Sequence, residues 1–139
     1  MFTYFRNKRK DEHKILNDVR ILFVDDDQDI SQVSKRILEN LGYQVTVRNN
    51  ATEAFQLFHQ MPYGFDLIVT DLMMPDMSGL ELSKKILDIR KDIPIILSSG
   101  YSESILDREN LPEGITGLLT KPATMAELKA AVSAVIGPA

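Results

Sequence analysis

The chain has 139 residues, 44% of them hydrophobic and 26% charged, which is the size and balance of one globular domain. It has no cysteine and only His13 and His59, so a disulfide scaffold, a thiol nucleophile, a Cys-ligated metal and a His-rich centre are excluded. A net charge of −4 and a pI near 5.1 argue against direct nucleic-acid binding. No apolar run approaches the roughly 20 residues that span a bilayer, and the start lacks a signal-peptide core, so the expected compartment is the cytoplasm with no membrane contact.

The first twenty residues carry six basic and three acidic groups, whereas the remainder carries ten and seventeen. Residues 1–18 are expected to be a basic arm, read as a solvated terminus or a docking arm for an acidic partner, and residues 19–139 the folded domain. Ile21 to Val24 is a first apolar strand that stops at Asp25-Asp26-Asp27. Ile30, Val33, Ile37, Leu38 and Leu41 recur at helical spacing, with Gly42 as a C-terminal stop. Tyr43, Val45 and Val47 alternate as a second strand. Asn50 and Glu53 open a second helix. Phe65 to Val69 is a third strand leading to Asp71, and Ser78 with Glu81 caps a third helix. Pro94 to Leu97 is a fourth strand, ending in Ser98-Ser99-Gly100, and 102–110 is a polar helix. Ile115 to Leu119 is a fifth strand, ending in Thr120-Lys121-Pro122, and Thr124 with Glu127 opens the last helix.

Strand and helix alternate five times, which predicts right-handed crossovers and a parallel sheet covered on both faces. The uniformly apolar runs ILFV, DLIV and PIIL fit strands buried on both sides. Such sheets place their chemistry beyond the carboxyl ends of the strands. Three acids, a hydroxyl and a lysine stand there. Clustered carboxylates raise one another's pKa unless a cation joins them, and oxygen-only ligands select Mg²⁺ or Mn²⁺. A carboxylate beside such a metal can form an aspartyl phosphate. Each residue taken alone has a plainer reading: helix N-cap for one of the acids (Asp27 or Asp29, leaving Asp25 and Asp26 for metal), turn residue for Asp71, loop hydroxyls for the serines, surface charge for Lys121. Their conjunction at different strand ends carries the chemical reading.

The segments RILFVDDD (20–27), FDLIVTDLMMPDMSGLEL (65–82), IPIILSSGY (93–101) and GLLTKP (117–122) resemble the receiver domain of two-component response regulators. The resemblance implies a flavodoxin-like, doubly wound (βα)5 fold with strand order 2-1-3-4-5. It implies Asp71 as phosphoacceptor, Asp26 as direct Mg²⁺ ligand, Asp25 as its companion and the Met73 backbone carbonyl as a further ligand. Ser99 resembles the hydroxyl that holds a phosphoryl oxygen, Gly100 the small residue beside it, and Lys121 the lysine that pairs with acceptor and phosphoryl group. Lys121-Pro122 resembles the family's cis peptide. Leu118 stands where the family usually has an aromatic switch residue. Met73 and Tyr101 fall at positions that border the path of hydrolytic water, or are simply packed loop residues. The implied partners are a histidine kinase or phosphotransfer protein, docking near the first helix with its Gln32, Lys35, Arg36 and Glu39, and a downstream protein. The chain is expected to be a monomer or weak dimer that assists its own phosphorylation and dephosphorylation and is not an enzyme, with no output domain after Ala139. Two other readings are a haloacid-dehalogenase-type phosphatase and a degenerate receiver that binds partners without phosphorylation. The phosphatase expects late acids and a cap that the chain lacks.

Overall fold

Each expected apolar run becomes a strand, and its hydrogen-bonded neighbours follow from the crossovers between them. The computed structural model describes residues 18–100 and 111–137. Tyr101, the polar helix expected over 102–110 and residues 1–17 of the basic arm lie outside the described residues. The elements in chain order are β1 (Arg20–Val24), α1 (Gln28–Asn40), β2 (Gln44–Arg48), α2 (Ala51–Gln60), β3 (Leu67–Asp71), α3 (Gly79–Ile89), β4 (Ile95–Ser99), β5 (Gly117–Thr120) and α4 (Met125–Ile136). The five strands are parallel and ordered β2-β1-β3-β4-β5, the flavodoxin-like order.

Alternation along the strands divides the core into two. Leu22, Val24, Ile68, Ile95 and Leu97 face α2 and α3, where they meet Ala54, Phe58, Leu82 and Ile86. Ile21, Phe23, Leu67, Val69 and Ile96 face the other way and meet Leu38 of α1 with Leu128 and Val132 of α4. This is the period of two read on both faces, which is why the apolar runs of these strands are unbroken and their polar residues fall at the strand ends.

The helix starts are set by side chains. Asp27 accepts from the Ile30 amide and caps α1, so Asp25 and Asp26 are left for other work. Asn50 accepts from Glu53 N–H at 2.8 Å and caps α2. Ser78 with Glu81 and Thr124 with Glu127 form reciprocal capping boxes at α3 and α4. Gly42, with φ 105°, ends the α1 connection in a conformation that only glycine adopts cheaply.

Three details depart from the sequence pattern, the first being that β5, expected from Ile115, starts at Gly117. β3 starts at Leu67 and not Phe65, because Asp66 turns to the β1 strand start: its N–H donates to Arg20 C=O (2.7 Å) and its carboxylate accepts from Arg20 N–H (2.8 Å). The apolar stripe of α1 is only partly buried. Leu38 is fully covered, but Ile30 and Val33 stand 41% and 48% exposed and line an open groove with Phe23, Pro122 and Leu128.

Phe58 is the largest fully buried side chain, at the centre of the α2/α3 core. Phe58→Ala is expected to cost about 3–5 kcal/mol of unfolding free energy, read by urea denaturation at unchanged m-value.

Candidate functional site

β1 and β3 are adjacent, so their carboxyl ends bring Asp25 and Asp71 side by side. β5 lies on the far side of β4, and the chain after Thr120 turns back over the edge to deliver Lys121. The turn begins with a bond from Lys121 N–H to Ser99 C=O (2.8 Å), and the Lys121-Pro122 bond is cis. The Lys121 ammonium lies 3.0 Å from Asp25 Oδ2 and 3.2 Å from Asp71 Oδ2. Both carboxylates are buried, at 2% and 4% exposure, while Asp26 is exposed at the rim.

One ammonium thus serves two buried acids, with a third beside them. Asp25 keeps its other oxygen busy, since Oδ1 accepts from the Asp27 amide at 2.9 Å. Asp71 Oδ1 is buried with no hydrogen-bond partner. The Asp71 carboxyl is pushed up to about 6, chiefly by burial, with Lys121 pulling against the rise and Asp25 and Asp26 adding to it. Burial alone would lower the Lys121 ammonium, but the bond and charge of Asp25, then those of Asp71, outweigh it and hold its pKa above the ordinary value.

Carboxylate oxygens from Asp25, Asp26 and Asp71 all lie within 4.8 Å of one another. An orphaned buried oxygen within a set of hard anionic donors fits a small divalent cation, which would answer the unpartnered oxygen and the excess negative charge together. The donors include no soft atom, so the set suits Mg²⁺ or Mn²⁺.

The remaining expected residues fall around this cluster. Ser99 is buried at the end of β4, one position beyond Ser98, the register partner of Asp71. Gly100 follows it at the edge. Met73 is 55% exposed in the loop after Asp71. Leu118 pairs in register with Leu97, half-buried against the α2/α3 core. Pro122 lines a groove of roughly 490 Å³ between α1 and the start of α4, with Phe23, Ile30, Val33 and Leu128 among its walls and Asp25 and Lys121 at one end.

Three supports were not legible as such. Asn49 donates its amide to Asp25 C=O (2.8 Å) and to Ser31 Oγ (3.0 Å), tying the ends of β1 and β2 to α1. Asp76 reaches from the loop after β3 to the first amides of α2. Gly79 packs so closely on the end of β3 that a Cβ there would overlap the Asp71 carbonyl, while its N–H donates to Leu72 C=O at 2.8 Å. The sequence marks Asp76 and Gly79 only as loop residues, since their partners are defined by the tertiary fold. Among the described residues, no helix is long and apolar enough to cross a membrane.

Residues 21–133 match the family profile of the response regulator receiver domain. The chain is 33% identical over 111 residues to the two-component response regulator ARR12 of Arabidopsis thaliana, covering 80% of this chain and 18% of that protein. It is 31% identical over 109 residues to the response regulator receiver protein CpdR of Brucella abortus, covering 78% of this chain and 89% of that one. The chain therefore spans about a fifth of the length of the plant relative, and most of the length of the bacterial one. Among solved structures, a response regulator receiver domain protein from Clostridium thermocellum superposes with a TM-score of 0.76 at 30% identity, over 85% of this chain and 94% of that one. The receiver domain of the hybrid histidine kinase CckA gives 0.70 at 27% identity, over 83% and 96%.

Two outcomes follow from this geometry. A carboxyl whose folded pKa is raised destabilises the fold as pH climbs from its unfolded value toward its folded one, here from 3.8 to about 6. In metal-free buffer, Asp71→Asn is therefore expected to stabilise the protein at pH 7 by about 1–3 kcal/mol, with the gain vanishing below pH ~4. Paired thermal melts of the two proteins across that range check it. Gly79→Ala is expected to destabilise by about 1–3 kcal/mol, read by chemical denaturation, because the Asp71 carbonyl or the start of α3 must give way.

Proposed function

The chain belongs to the response regulator receiver family of two-component signalling, and from that premise we propose that Asp71 is its phosphoacceptor. Receiver domains are signalling domains that work with histidine kinases or phosphotransfer proteins. The observation that carries the assignment is the state of Asp71: buried at the end of the central strand, with one oxygen on Lys121 and the other without a partner.

In the proposed reaction a carboxylate oxygen of Asp71 forms a bond to phosphorus as the P–N bond of a phosphohistidine breaks, leaving the donor imidazole with the electron pair. Lys121 is already poised between two acids and would exchange part of that pairing for the new phosphoryl oxygens. Ser99 would donate its hydroxyl to another of them, and Gly100 leaves space for the donor. Asp25, Asp26, Asp71 and the Met73 carbonyl would hold Mg²⁺ or Mn²⁺, which supplies charge neutralisation at the transferring group. The domain in this way assists its own phosphorylation and dephosphorylation, with Met73 and Tyr101 governing access of water to the acyl phosphate.

The groove beside α1 supports the proposed docking site of the phosphodonor protein. Ile30 and Val33 offer exposed apolar contact immediately next to Asp25 and Lys121, and Gln32 and Arg36 give a polar rim. Output would pass through Leu118, which has no ring to swing and would shift its packing on Leu97, to a downstream protein partner; no direct nucleic-acid contact is proposed. Residues 19–139 would form the working domain, as a monomer or weak dimer in the cytoplasm, with 1–18 a basic arm.

Incubation with Mg²⁺ and acetyl phosphate is expected to give one phosphoryl adduct by intact mass. Asp71→Asn should abolish it, and Lys121→Ala should lower its yield at least tenfold. An adduct that survives Asp71→Asn, or none from any phosphohistidine donor, would overturn the assignment.

A further inference from the structure

The loop from Leu72 to Ser78 carries Met73, whose main-chain carbonyl is the uncharged member of the proposed cation set. Its base is closed by two backbone bonds, Leu72 N–H to Ser98 C=O and Gly79 N–H to Leu72 C=O, both 2.8 Å. Its far side is held by a side chain. Asp76 Oδ2 accepts from Thr52 N–H at 2.9 Å and from Thr52 Oγ at 2.8 Å, and Oδ1 accepts from Ala51 N–H at 3.3 Å. These are first-turn amides of α2, which have no partner within their own helix. A carboxylate there is also favoured by the helix dipole, and three donors fix its orientation.

Asp76 is exposed and is not among the acids grouped at the cation site. We propose that Asp76 is a positioning residue for that site: by clasping the loop to the start of α2, it holds the Met73 carbonyl in a fixed relation to Asp71. This rests on the assignment of Asp25, Asp26, Asp71 and the Met73 carbonyl as the cation set. The physical reason is the character of the ligand. A carboxylate is drawn to a cation by its charge, but a neutral carbonyl contributes only if it is already in place, and Mg²⁺ tolerates little departure from octahedral geometry. Fixing a backbone residue costs conformational entropy, so a loop ordered beforehand by Asp76 spares that cost when the ion binds.

The test compares two caps of the same helix. Asn50 covers the Glu53 amide of α2 and, among the described residues, has no side-chain hydrogen bond to the loop, whereas Asp76 covers Ala51 and Thr52 from the loop. Mg²⁺ affinity is measured by NMR titration of the full chain, with thermal melts in EDTA alongside. Asp76→Ala is expected to raise the Mg²⁺ Kd about tenfold. Asn50→Ala should lower the metal-free Tm while leaving the Kd at the wild-type value, and Asp76→Asn, which keeps one acceptor oxygen, should recover part of the affinity. A wild-type Kd in both Asp76 variants, or an equal loss in Asn50→Ala, overturns the proposal. Asp26→Asn reports on the assignment beneath it: loss of binding there with unchanged binding in Asp76→Ala sinks the positioning role alone. A wild-type protein that binds no Mg²⁺ sinks both.

Discussion

Two buried carboxylates share one ammonium, and much of the sheet's design serves that imbalance. Lys121 reaches Asp25 and Asp71 at 3.0 and 3.2 Å and cannot neutralise both. Burial, with Asp25 and Asp26 adding to it, raises the Asp71 pKa against the pull of Lys121, and one Asp71 oxygen is left without a partner. Buried ionised groups persist only when the surrounding structure compels them. Here the compulsion is topological. The 2-1-3-4-5 order sets the strand ends of β1 and β3 next to each other, and the return after β5 swings the lysine over both. The fold stores an excess of negative charge that a bound divalent cation would relieve.

Several contacts keep that excess from relaxing by movement. Asn49 fixes the main chain at Asp25, and Asp27 spends its side chain on capping α1 while its amide orients Asp25. Gly79 lets α3 begin against the back of Asp71, where any side chain would collide. Beyond the loop, Asp76 ties the same segment to α2. Such supports around a charged cluster hold its geometry before any ligand arrives, so little rearrangement is needed when charge is transferred.

Most of the architecture was legible because it depends on local rules. Strand alternation, the Asn50, Ser78 and Thr124 caps and the Gly42 stop are all short-range; the caps and the stop appear where the pattern places them, the α1 cap falls on Asp27 of the two acids left open, and the strands appear with starts shifted by a residue or two. The convergence of Asp25, Asp26, Asp71 and Lys121 was legible at one remove, through the rule that parallel sheets gather chemistry at their carboxyl ends. Less was legible where partners are far apart in sequence. Asp76 and Thr52 are 24 residues apart, and nothing in either segment announces the other. The exposure of Ile30 and Val33 was hidden for a related reason. Periodicity shows which face of α1 is apolar but not how much of it the rest of the fold covers.

The sheet also acts as a partition. Phe58 and Val132 lie in separate clusters, with the strands standing between them. Substitutions that are well separated and share no partners combine nearly additively. A chain built this way can accumulate changes on the α1/α4 side, where the groove lies, with little repacking debt on the α2/α3 side, where Leu118 rests. Under the proposed function, specificity toward the phosphodonor and response through Leu118 would then drift as separate traits, each tuned by its own half of the core.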